Sequence, residues 1–366
     1  MSRDDTKIIK AIAIMLVMMN HLWMFPDRLP GNGLKSLFTL FGMSAVEYIS
    51  NFARFILALF FFIAGYGIYK STKGKKYDLI DRLKKLYFAV WKVFLVFVPI
   101  GFIFFSHQGN YCLDTSICHR YEVFDISEFL ANFFGILYSY NEEWWFIGPY
   151  VVCLVVFPVM KAVADKFSLR TNYAILIVGQ LLVMYVFPAL GDVKELGNLN
   201  SNYLYRRVFC EMPPGFFLGI LAAKDDLLER IKESMKKAKI TGPVWDILIL
   251  IAILFLRQVD YLDDLDFFYA PIFIVVFCDL VGRVKIVKKI FVAFGDRATN
   301  IWLIHSFLCY YFYYTARVVT YTGWAVPAFI TLCIMSYIAA VGLDYFWKYL
   351  GIGYEKVFSM WKGMIS

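Results

Sequence analysis

The chain contains four histidines, and two of them fall inside long apolar runs: His21 in KAIAIMLVMMNHLW and His305 in NIWLIHSFLCYY. A histidine changes charge nearer neutrality than any other side chain. In an apolar setting it suits proton transfer to or from a reacting hydroxyl, or brief carriage of an acyl group. Lys10 precedes His21 by eleven residues. At about 100° per residue, eleven residues leave a displacement of roughly 20°, so a helix puts both on one face, about 16 Å apart along its axis. A cation at the mouth of such a face suits a phosphate-bearing ligand. Each residue also has a plainer reading, Lys10 as a surface anchor and His21 as a histidine bonded between helices. His305 lies at a depth comparable to His21. Glu47 and Arg54 are the other ionisable candidates within an apolar run, because burying a charge in lipid is costly. Asp246, Asp279, Glu211 and Lys92 lie near run ends or can reach the interface, and rank lower.

These residues must be positioned by membrane helices. Of the 366 residues, 60% are hydrophobic and only 18% charged, more apolar residue than a soluble domain of this length can hide. Stretches near the ~20 residues that cross a bilayer occur at 8–26, 46–69, 86–105, 144–162, 172–190, 203–222, 243–258, 267–282, 290–315 and 324–347. The pattern predicts an all-α polytopic membrane protein of about ten transmembrane helices. Alternating sides from a cytoplasmic N-terminus puts 26 of the Lys and Arg residues inside and 6 outside, in accord with the positive-inside rule and with both termini cytoplasmic. The net charge of +8 is absorbed by this asymmetry, so no nucleic-acid partner is expected. The first apolar run has no small-residue cleavage site after it and is expected to stay as a span.

Residues 1–366 are expected to form a single domain, with an outer loop at 106–143 and no appended soluble domain. Within that loop Ile126–Tyr140 (ISEFLANFFGILYSY) has helical spacing and is expected to lie in the interface or to form part of a lid. Lys224–Lys239 is expected to form a short amphipathic helix on anionic headgroups. Cys112 and Cys118 stand six positions apart in the outer loop, where they either pair as a disulfide or remain free thiols. His107 and His119 share that loop without neighbours at metal-ligand spacing, and no metal is expected. No Gly-rich phosphate loop, G-x-S-x-G elbow or Cys-x-x-Cys is present.

Several stretches together resemble the integral-membrane acyltransferase 3 family. Lys10 and His21 are similar to its basic-x10-His motif. FFFIAGYGIYKS (Phe60–Ser71) resembles its second span, with Ala64 where Ser is common. Arg82-Leu-Lys-Lys85-Leu-Tyr87 is similar to its R-x-x-R-(I/L)-Y run, with Lys85 for the second Arg. WWFIGPYVVCLVVFP (Trp144–Pro158) and FGDRATNIWLIHSF (Phe294–Phe307) resemble its W-F-(L/I) and G-x-x-S-Y-x-I-Y-L-x-H spans. The resemblance implies a ten-helix membrane enzyme that moves an acyl group, acetyl above all, from cytoplasmic acyl-CoA to a hydroxyl of an extracytoplasmic glycan or lipid-linked saccharide. His21 takes the catalytic role and His305 a secondary one. Lys10 and Arg82, with Lys84 and Lys85, hold the donor's phosphates. The expected location is a bacterial plasma membrane. The rival readings are a polysaccharide exporter or flippase, and a proton-coupled transporter using His21 and Glu47.

Overall fold

Apolar runs in lipid must satisfy every backbone N–H and C=O without water, and the α-helix does so within one segment. The computed structural model of the chain describes residues 1–40, 42–182, 212–259 and 265–351. Helices make up nearly all of its regular structure. The described strands are the two-residue pair Thr39–Leu40 and Met43–Ser44. Five described helical stretches are long and apolar enough to cross a membrane: Arg3–Met24, Ala45–Thr72, Leu79–Phe104, Glu142–Lys166 and Ala325–Tyr349. Pro243–Leu256 is equally apolar but has 14 residues. The protein is a helical membrane protein. The expected spans 172–190 and 203–222, with Glu211, fall wholly or partly outside the described residues.

Several expected spans are interrupted. The run 46–69 divides into Ala45–Ala53 and Ile56–Thr72. Arg257 holds the break: its Nη1 donates to the carbonyls of Asn51 and Phe52 at 2.8 and 2.9 Å. Asp266 accepts from its Nε and Nη2. The Asn51 and Phe52 carbonyls also accept from the N–H groups of Arg54 and Phe55, at 3.3 and 3.0 Å, so the guanidinium reinforces the turn that ends the first helix. The run 290–315 divides further, into Lys285–Asp296, Ala298–Ser306, a π-helical turn at Phe307–Tyr311 and Tyr313–Thr320.

The described chain forms two compact units, one built from Met1–Val17, Tyr48–Leu83 and Trp145–Gly295, the other from Met18–Glu47, Lys84–Trp144 and Asp296–Ser366. In the first unit, Ile56–Thr72 and Met212–Lys224 pack through reciprocal glycines. A Cβ on Gly65 would overlap the carbonyl oxygen of Phe216, and one on Gly219 that of Phe62. Close approach through small residues is how membrane helices gain packing where lipid offers no hydrophobic drive. Gly65→Ala and Gly219→Ala are each expected to cost about 1–3 kcal/mol through overpacking, read as a lower unfolding temperature in detergent. An unchanged midpoint in both would mean that the helices are not in contact there. Gly295 meets the backbone of Lys7 in the same way.

In the second unit, part of the 106–143 stretch follows the helix Leu79–Phe104 inward. Phe124 packs edge-on against Phe102, Phe129 against Phe94, and Phe133 stacks on Trp91 at 4.9 Å. Gly135 then sits on the Tyr87 ring. From Phe102 to Tyr87 is about 22 Å at 1.5 Å per residue. The chain returns by Tyr140, whose ring lies 5.3 Å from that of Phe102. Within Ile126–Tyr140 the helix covers Ile126–Phe133, shorter than expected, because Gly135 turns the chain with φ +71°. Polar atoms within the excursion satisfy one another: Asn132 Nδ2 donates to Ser139 Oγ at 2.8 Å, and Ser139 Oγ donates to Glu128 Oε1 at 2.5 Å.

Candidate active site

The first helix ends at Met24, and the following 3₁₀ turn Pro26–Arg28 brings Arg28 back beside its last residues. Opposite stands the helix Ala298–Ser306, which carries His305. The short turn Glu142–Phe146 is pinned to that helix at two points. Asn141 Nδ2 donates to Ser306 Oγ at 2.8 Å, and Trp144 Nε1 donates to the Leu303 carbonyl at 3.1 Å. Asn141 Oδ1 also accepts from the Glu143 N–H at 3.2 Å. These contacts fix where the Glu143 carboxylate points.

It points at His21. Glu143 Oε2 lies 3.0 Å from His21 Nε2, and Glu143 Oε1 accepts from Arg28 Nη1 at 3.0 Å. His21 Nδ1 lies 2.8 Å from Nε2 of His305, and the two rings stack with centroids 5.0 Å apart. His305 Nδ1 faces the carbonyls of Trp302 at 2.7 Å and Ile301 at 3.2 Å. Arg28, Glu143, His21 and His305 thus form one continuous string.

Proton positions follow from the partners. His305 Nδ1 faces only acceptors, so it carries a proton. In a neutral ring its Nε2 is then the acceptor toward His21 Nδ1. His21 is the least buried of the three: its side chain is 12% exposed, that of Glu143 8%, and His305 is fully buried.

The backbone around the string is held by the stretch 106–143. A π-helical turn leaves carbonyls and N–H groups unpaired where it ends. Here Gln108 Nε2 donates to the Tyr311 carbonyl at 3.0 Å, and Gln108 Oε1 accepts from the Tyr313 N–H at 2.6 Å. Tyr111 Oη donates to the Tyr310 carbonyl at 2.5 Å. Tyr310 Oη in turn donates to the His21 carbonyl at 2.5 Å. The Tyr310 ring also lies 5.7 Å from the Arg28 guanidinium, which sits 4.6 Å over Phe25. Gln108→Leu orphans two backbone groups at once, at about 1–3 kcal/mol each. Its expected result is a lower unfolding temperature and weakened activity, checked against Gln108→Glu, which keeps the acceptor. Equal stability of Gln108→Leu and the parent would remove the clamp.

Of the residues singled out from the sequence, the structure brings His21 and His305 into direct contact. Lys10 lies half-buried on the helix that carries His21. Arg82 is half-buried, donates to Ser71 Oγ at 2.8 Å and lies 5.3 Å over the Tyr77 ring. Lys84 is half-buried and Lys85 exposed, on the same helix as Arg82. Glu47 is exposed, and its N–H takes a cap from Ser44 Oγ at 3.1 Å, a Ser-x-x-Glu helix start. Arg54 is exposed at the break after Ala53. Cys112 and Cys118 are buried, with their Sγ atoms 3.3 Å apart as thiols. Glu143 and Arg28 did not emerge as candidates from the sequence. The available signal was the acidic pair Glu142–Glu143 directly before Trp144, at the N-terminal end of an apolar run.

Apolar helices and a buried histidine–carboxylate string together define a membrane protein equipped to handle a proton. A family model described as an acyltransferase domain matches residues 5–344. The chain belongs to the acyltransferase 3 family, and it is a membrane acyltransferase. No curated protein and no solved structure matches it significantly.

Proposed function

We propose that the protein transfers an acyl group, acetyl in the simplest case, from cytoplasmic acyl-CoA to a hydroxyl of an extracytoplasmic glycan or lipid-linked saccharide. The observation that carries this reading is His21, held between Glu143 and His305 and the most exposed of the three. The acceptor hydroxyl settles beside His21 Nε2 and opens its contact with Glu143. As the oxygen attacks the thioester carbonyl, Nε2 takes the hydroxyl proton. The oxygen–carbon bond forms, the carbon–sulfur bond breaks, and the proton ends on the CoA sulfur. Glu143 and His305 let the charge on His21 change during this step without a bare charge in the interior. Lys10, Arg82, Lys84 and Lys85 receive the donor's phosphates, in keeping with their cationic character.

The proposal includes ten spans with cytoplasmic termini, supported by the charge split, in a bacterial plasma membrane. The test is transfer of labelled acetyl from acetyl-CoA to extracted cell-surface saccharide by purified protein in lipid vesicles. Label in the saccharide is expected. Transport of saccharide without any consumption of acetyl-CoA would replace the enzyme with an exporter.

A further inference from the structure

The 112–118 turn stands beside the catalytic string, and its contacts run directly into it. Asp114 is the centre of that turn. Its N–H donates to the Asp27 carbonyl at 3.0 Å, which fixes the turn against the residue preceding Arg28. Its side chain accepts from Ser116 N at 3.2 Å and from Ser116 Oγ at 2.6 Å, starting the helical turn Thr115–Cys118. The same carboxylate lies 3.6 Å from Arg28 Nε. Arg28 is the partner of Glu143, and Glu143 that of His21. Cys112 and Cys118 close the two ends of the turn, their sulfurs 3.3 Å apart, and the Cys112 thiol also donates to the Asp114 carbonyl at 3.3 Å.

We infer that Cys112 and Cys118 are a covalent modification site: they join as a disulfide that locks the turn, holds Asp114 against Arg28, and thereby positions Glu143 for His21. The inference rests on the acyltransferase reading for its effect on rate, though not for the cross-link itself. Formation is a thiol–disulfide exchange. The two thiols lose two protons and two electrons, one S–S bond forms between them, and a disulfide-bearing oxidant is reduced to its two thiols. On the extracytoplasmic side such oxidants are available. Burial pushes the Cys112 thiol up, away from the thiolate form. Both side chains are buried, at 7% and 0% exposure. The pair therefore exchanges slowly once closed, which suits a permanent staple. Asp114 is a positioning residue, acting on the chemistry only through Arg28.

The cross-link is read by alkylating the protein, purified from its native membrane without reductant, before and after reduction. Cys112 and Cys118 are expected to label only after reduction. Labelling of both beforehand overturns the cross-link. The coupling is read from acetyl transfer. Reduced protein and the Cys112→Ser/Cys118→Ser variant are both expected to lose about threefold to tenfold in kcat, the worth of one partly exposed ion pair, with KM for acetyl-CoA unchanged. Asp114→Asn is expected to lose the same factor while still labelling as oxidised. Should the double variant fail to fold, reduction of the parent protein makes the same comparison. Unchanged kcat on reduction, or a rise in KM alone, overturns the coupling. If the oxidised parent transfers no acetyl at all, the proposed function fails, while the labelling result still decides the cross-link.

Discussion

Replacing His21 by glutamine is expected to reduce acyl transfer by about 10²–10⁴-fold, the range for removing a positioned general base. Glutamine has similar reach and can hydrogen-bond on both sides, so contacts with His305 and Glu143 survive in part. What it cannot do is take up a proton near neutral pH. The structure makes this loss specific. His21 joins two other titratable groups, at 2.8 and 3.0 Å, and its two ring nitrogens are the link between them. Expression and thermal stability should stay near the parent's, since the site is partly open and the substitution leaves no cavity. The comparison is made with labelled acetyl-CoA in vesicles. More than a tenth of parental activity in His21→Gln would make His21 a structural histidine and put the exporter reading first.

Glu143→Gln is expected to have the next largest effect, in rate and in stability together. The amide that replaces the carboxylate offers no charge to Arg28 and none to a protonated His21. The guanidinium keeps longer contacts, 3.6 Å to Asp114 and 3.7 Å to Glu142, so the stability cost should be about 1–3 kcal/mol rather than the larger penalty of an unpaired buried charge. The rate should fall about 10²-fold or more, as for other groups that support a catalytic base. Pairing the change with Arg28→Gln separates the roles. If both act on His21 as one string, the double variant should be little worse than Glu143→Gln alone, a strongly non-additive result. Full activity in Glu143→Gln would leave Glu143 an anchor for Arg28 and nothing more.

The apolar runs were legible because bilayer thickness imposes a length on them. The helices Arg3–Met24, Leu79–Phe104 and Ala325–Tyr349 fall close to the runs 8–26, 86–105 and 324–347. Their interruptions were not legible, because each depends on a distant partner. The break at 54–55 is held by Arg257, and the π turn after Ser306 by Gln108 and Tyr111. In the site, His21 and His305 were visible as titratable groups in apolar surroundings. Their partners were not. Glu143 stood one residue outside the run 144–162, and Arg28 counted as an ordinary loop charge. Both reach the histidines only through a turn, Glu142–Phe146 for one and Pro26–Arg28 for the other. Hydropathy has no view of such turns. Glu47 shows the reverse case, a charge in an apolar run whose side chain is exposed and whose backbone N–H donates to Ser44 Oγ at a helix start.

The excursion at 124–140 bears on how membrane crossings are counted. A segment that runs along Leu79–Phe104 from Phe102 to Tyr87 and comes back to Phe102 leaves the chain on the side where it started. Its contribution to the crossing number is zero, whatever its hydropathy. The fifteen residues Ile126–Tyr140 are apolar enough to be counted as a short span by composition alone. Counting them once would reverse the parity of every crossing downstream. How the basic stretches 224–239 and 283–289 stand relative to the chain before Leu79 therefore turns on the short reversal at Gly135.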